Sequence, residues 1–172
     1  MNKTNTLNHW REDDGVIYCH VISNGLTGHQ WIEYFERRNL AIDDEIKRLL
    51  LSKEFQPTND VVTQIAIIKS VILKNNWTTK QICAEADKRM LGKFMRHSVE
   101  LACLIRAKFD NNELDLMGLR WIIVMQEPIK GPLGGQFLIS IASTGLGICA
   151  VCHVNEEWPW LSGGGFMFEE LP

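Results

Sequence analysis

Neither sign of charge dominates this chain: 18 basic side chains stand against 21 acidic ones, for a formal net charge of −3 at pH 7. So small an imbalance exerts no bulk pull on polyanions, and nucleic acid and acidic membrane faces are not expected partners. Long apolar runs are lacking as well. No window of 18 apolar residues occurs, because the greasiest stretch, residues 65–73, is broken by Lys69 and Ser70. The opening MNKTNTLNHWREDDG carries Glu12, Asp13 and Asp14 where an export signal keeps an uninterrupted apolar core. The expectation is a cytoplasmic protein without membrane attachment, with residues 1–14 as a flexible lead-in. Five cysteines are an odd number, and in a reducing compartment they set aside a disulfide framework and read as small buried hydrophobes. No repeat recurs at a fixed period and no tract is of low complexity.

What remains fits one domain over residues 15–172, with 45% hydrophobic side chains and enough length to bury a core without a covalent or metal staple. Residues 15–23 alternate as a strand with apolar side chains on both faces. Thr27 and Gln30 form a capping box that opens a helix carrying Trp31, Ile32 and Phe35, and Asn39 suits its left-handed stop. A second helix is read over residues 42–53, with Asp43, Asp44 and Glu45 in its first turn and basic residues later. Residues 61–73 fit either a strand or a helix face, and eight β-branched residues among thirteen decide for a strand. Thr78 and Gln81 form a second capping box, and Ser98 starts a helix with Val99, Ala102, Cys103 and Arg106 at helical spacing.

From residue 119 the pattern turns to period two and to continuous apolar runs at 119–125, 137–143, 148–154 and 166–168. Residues 24–118 are thus helix-rich and 119–170 strand-rich. The fold class is α+β, a single compact domain whose mainly antiparallel sheet carries helices from the N-terminal two-thirds.

Several segments have a familiar look. Gly25-Leu26-Thr27-Gly28 with Trp31-Ile32, Phe55-Gln56-Pro57-Thr58, Glu100 to Arg106, Gly118-Leu119-Arg120-Trp121-Ile122 and Met125 to Ile129 resemble a group of uncharacterised bacterial proteins of similar length. The resemblance covers roughly residues 9–130 and a closing Gly165-Phe166. It implies a bacterial, cytosolic, single-domain protein and no particular activity. Gln126 stands where that group has a histidine, so the resemblance gives the position no catalytic role.

The loudest motif, Cys149-Ala150-Val151-Cys152-His153, matches a haem-attachment pattern. It lies in a strand-like run, where residues three apart face opposite sides, so its sulfurs do not converge. Zinc shared among Cys19, His20, Cys152 and His153 meets the same objection, and neither a metal nor a cofactor is expected. Residues 24–29 place two glycines and Thr27 before a helix N-terminus, the best local anion site, with Thr27 and Gly28 as ligand-binding candidates. A tight turn with a cap is the favoured reading of the same residues.

Arg106 and Glu127 sit near core surfaces. With His29 they are the catalytic candidates of an enzyme reading, in a pocket walled by Trp31 and Trp121 and acting on an anionic or carbonyl substrate. Trp158-Pro159-Trp160 and Phe166 are candidate interaction anchors, or else a lid over the sheet. Basic residues from Lys69 to Arg96 read as a solvated face.

Finally, the 25 residues from Gly131 to Asn155 carry no charged side chain. A surface so apolar is covered by the fold itself or by a partner. The leading expectation is therefore a binding module for another protein or for a second copy as a homodimer, with a small-molecule enzyme as the alternative.

Overall fold

The computed structural model describes residues 9–73, 77–89, 91, 98–152, 157 and 159–170. Among these residues the chain forms seven strands and five α-helices. In order they are β1 (Trp10–Asp13), β2 (Val16–Asn24), α1 (Gly28–Glu36), α2 (Asp44–Leu50), β3 (Asn59–Lys69), α3 (Thr79–Lys88), α4 (Ser98–Lys108), α5 (Asn111–Leu116), β4 (Trp121–Lys130), β5 (Gln136–Ala142), β6 (Ile148–Cys152) and β7 (Gly165–Glu169). All seven strands lie in one sheet in the order β1-β2-β3-β7-β4-β5-β6. Every neighbouring pair is antiparallel except β4 and β7, which run parallel. The α+β expectation describes this architecture. No helix among the described residues is long and apolar enough to cross a membrane.

Alternation along the strands sorts side chains onto two faces. Ile17, Cys19 and Val21 of β2, Ile65 and Ile67 of β3, Met167, Ile122, Val124, Ile139 and Ile148 share one core with Trp31, Phe35, Ile46, Leu50, Ile105 and Leu114. Val16, Ala66, Ile68, Phe166, Phe168, Ile123, Met125 and Leu138 form the other with Ile82 and Ala86 of α3 and the side chains of Trp77, Trp121 and Trp160. The sheet is therefore a middle layer, with α1, α2, α4 and α5 on one side and α3 with an aromatic loop on the other. Each fully buried large aliphatic or aromatic side chain contributes roughly 1.5–3 kcal/mol by leaving water. Helix α4 is buried from Glu100 through Arg106 without a break, because it lies at the centre of the helical layer against β2 and β5.

Local signals served well. Thr27/Gln30 and Thr78/Gln81 both form complete capping boxes, and Asn39 takes a left-handed φ of 54°. A third box, Asp110 with Glu113, opens α5. Residues 59–69 are a strand, as expected of a β-branched run, and end in a short 3-10 turn at Ser70–Ile72.

Two expectations need correction. Within the flexible lead-in read over residues 1–14, Trp10–Asp13 is a strand paired with β2, and Lys69 ties Glu12 down. Helix α2 starts only at Asp44, because Ile42 is held in a bridge to Ile148. Of the described part of the uncharged stretch, residues 137–141, Gly147 and Ile148 are buried within the chain's own fold, whereas residues 132–136 and 144–146 are exposed. Burial within the chain accounts for the missing charge at the first group of residues and not at the second.

Candidate functional site

The turn before α1 was the best local anion candidate, and four of its backbone donors are taken up within the chain. Gly25 donates its N–H to Thr58 O at 2.8 Å, Leu26 to Asn24 Oδ1 at 3.2 Å and Thr27 to Gln30 Oε1 at 2.9 Å, while Gln30 N–H reaches Thr27 Oγ1 at 3.3 Å. Gly28 faces the end of α2: a Cβ built there would lie 1.8 Å from Leu50 O. Thr27 and Gly28 thus serve helix capping and close packing.

The proposed catalytic set is not assembled. His29 is exposed in the first turn of α1, and Glu127 is exposed on β4. Arg106 is buried, with Nη1 donating to Phe109 O at 2.8 Å and Nη2 to Asn111 Oδ1, so it ties the end of α4 to the start of α5. Burial pulls its guanidinium pKa down, partly offset by Asp110. Among the described residues none of the three hydrogen-bonds to another. Trp31 and Trp121 cannot wall one pocket, because they lie in the two different cores on opposite faces of the sheet. Glu100, buried in α4, accepts Thr58 N–H at 2.9 Å and Thr58 Oγ1–H at 2.8 Å.

Of the interaction anchors, Trp158 lies outside the described residues. Phe166 is buried, and Trp160 folds back onto the sheet, its ring 6.2 Å from Trp121 and 5.7 Å from Phe166. Its indole N–H donates to Thr79 Oγ1 at 2.9 Å and its backbone N–H to Trp77 O at 3.0 Å. The aromatic loop is the lid, and Trp160 and Phe166 are part of the core. Cys149 lies opposite Ser140 in the sheet, and His153 lies outside the described residues. Cys19 faces the helical core while its neighbour His20 is exposed on the other face. Among the described residues no group of three histidine, cysteine, aspartate or glutamate side chains is placed to hold a metal.

Two openings remain that are lined wholly by described residues and belong to none of those candidates. One, of about 250 Å³, lies where Phe55 and Gln56, the first turn of α4 and Ile129 meet. It joins three segments that looked unrelated along the chain, but Ser52 and Glu100 on its wall are already hydrogen-bonded internally.

The other is a groove of about 590 Å³ between the end of α5, the end of β3 and residues 162–163, with Lys69, Val71, Asp115, Arg120 and Ser162 on its walls. Its frame is fixed. Ser70 Oγ accepts the N–H groups of Gly163 and Gly164 at 2.9 and 3.1 Å, and Ser70 N–H returns to Gly164 O at 2.8 Å. Arg120 is held through its backbone on both sides, donating to Gly163 O at 2.9 Å and accepting from Ser143 N–H at 3.0 Å. Its guanidinium, exposed, has no hydrogen-bond or ion-pair partner among the described residues.

Lys69 Nζ sits 3.2 Å from both carboxylate oxygens of Glu12. Reading the sequence did not single out Arg120, Lys69 or Ser162 as a site. The available signal was an arginine set between Gly118-Leu119 and a buried strand, where its backbone is fixed and its side chain must leave the core.

Comparison of the chain with protein-family models, with curated proteins and with solved structures gives no match.

Proposed function

We propose that the protein is a non-catalytic binding domain whose contact face for a protein partner is this groove. The observation that carries the reading is the company Arg120 keeps. Val71, on the wall, is 74% exposed, and Leu116 and Leu161, next in sequence to the wall residues Asp115 and Ser162, are each 79% exposed. An exposed valine on the wall, two exposed leucines next in sequence to wall residues and an unpaired guanidinium on the wall support a protein-contact surface. A rigid frame adds to this, since little conformational freedom is lost when a partner settles.

The test is selection of peptides from a random display library on the immobilised full-length protein. Enriched peptides are expected to lose at least tenfold in affinity on Leu161→Asp or Leu116→Asp, substitutions at exposed positions that leave folding within about 0.5 kcal/mol. Enriched peptides indifferent to both substitutions overturn the reading, as does failure to enrich any. A sedimentation run on the same variants places the homodimer: self-association that persists in both lies elsewhere on the molecule.

A further inference from the structure

We infer that the groove reads a carboxylate on its partner, an acidic side chain flanked by aliphatic ones, and that Glu12 of β1 is the internal competitor it displaces. The inference rests on the groove being the docking face.

The argument starts from Arg120. Guanidinium presents N–H donors in a planar fork that matches a carboxylate two bonds at a time, and an unpaired fork in a fixed groove is set up for that group. Lys69 supplies the second cation. Its ammonium hangs over Gly118, where an added Cβ would lie 3.5 Å from Nζ, and it reaches the groove while holding Glu12. In the resting protein Glu12 therefore fills the place at Lys69 that an incoming carboxylate takes.

Charge also sets the size of the acidic group. Once Glu12 is displaced, the two cations Arg120 and Lys69 face Asp115 alone, a surplus of one positive charge that one added negative charge balances and two exceed. This selects a single carboxylate over a phosphate. The aliphatic neighbours follow from Val71, Leu116 and Leu161, which need apolar cover that a bare anion cannot provide.

The probe is an acetylated, amidated peptide of alternating leucine and glutamate, titrated into the full-length protein by calorimetry, beside the same peptide with glutamine in place of glutamate and beside inorganic phosphate. The glutamate peptide is expected to bind at least about tenfold more tightly than the glutamine peptide, and Arg120→Gln to remove that advantage, the size of one charge-assisted contact. Arg120→Lys keeps the charge and loses the fork, and recovers only part of it.

Glu12→Gln, which leaves the backbone pairing of β1 intact, frees Lys69 and is expected to tighten the glutamate peptide about three- to tenfold without changing the glutamine peptide. Equal affinity for the two peptides, no change on Glu12→Gln, or phosphate binding as tightly as the glutamate peptide each overturns the inference. If the two peptides bind equally and Leu161→Asp abolishes both, the carboxylate specificity falls while the docking face stands. If neither peptide binds and library selection also fails, both readings fall together.

Discussion

Gly28 has no ligand to touch, yet it is the residue with least room for change. A β-carbon there meets the Leu50 carbonyl oxygen at 1.8 Å, well inside contact distance, so α1 and α2 approach each other across a bare backbone. Gly28→Ala forces the two helices apart and is expected to cost about 1–3 kcal/mol. For a chain of this length that lowers Tm by roughly 2–10 °C, read by thermal denaturation followed by circular dichroism. A stability unchanged within error would show that the helices separate freely at that contact. The prediction also exposes what a sequence displays at this scale. Thr27 and Gln30 were legible as a cap because both partners lie within one turn. Gly28 was read as part of an anion loop because the atom that dictates it lies 22 positions away. Arg106 misled for the same reason, its spacing on the helix face giving no hint that its partners, Phe109 and Asn111, lie just beyond the helix end.

Elements show the same divide between near and far. Strand β6 lies at an edge of the sheet, where unpaired backbone groups invite another chain. Here the edge is covered from within. Ile148 N–H donates to Ala41 O and Asp43 N–H to Ile148 O, both at 3.2 Å, and the Asp43 carboxylate accepts Ala150 N–H through one oxygen and Ile46 N–H through the other. One side chain thus caps α2 and closes the edge of β6. Asp43→Ala removes both bonds and is expected to cost about 2–3 kcal/mol, the sum of a lost cap and a stranded N–H. Asp43→Asn keeps the cap but presents only one acceptor, and is expected to cost about half as much. Urea midpoints order the three proteins, and light scattering on heating is expected to rise in the same order as the edge opens. Equal midpoints for the alanine and asparagine variants would assign the whole effect to the edge.

The acidic run before α2 was readable as helix-end electrostatics, but its service to a strand 107 residues later was not. Strand order was hidden likewise: the closing run at 165–169 inserts between β3 and β4, a placement set by which apolar faces must meet and not by any local turn.

At the scale of the molecule, the sheet's covering from both sides decides how the fold answers to pH. Burial pushes the Cys19 thiol from 9.0 up to about 12, slightly relieved by Lys108, and pushes the more deeply buried Cys103 up as well, with the charge of Glu100 adding to it. Burial raises Cys149 too, in the other direction from its contact with Ser140. In the unfolded chain these thiols lose their protons near pH 9, whereas the folded chain keeps them. Between about pH 9 and 12 the unfolded state therefore binds fewer protons, and stability falls as pH rises. Below pH 9 both states are protonated and this contribution is complete.

The urea midpoint is accordingly expected to hold steady to about pH 8.5 and to decline above it, and Cys19→Ala and Cys103→Ala are each expected to flatten that decline while lowering the plateau by the cost of a small cavity. Tyrosine and lysine titrations affect all the proteins alike, so the difference between slopes isolates the thiols. A slope unaltered by either substitution would mean that these two sulfurs meet water in the folded state. That result would reach past the cysteines, because Cys19 lies under α4 in the same core as Trp31 and Ile65, and water at that depth is incompatible with a helical layer closed over the sheet.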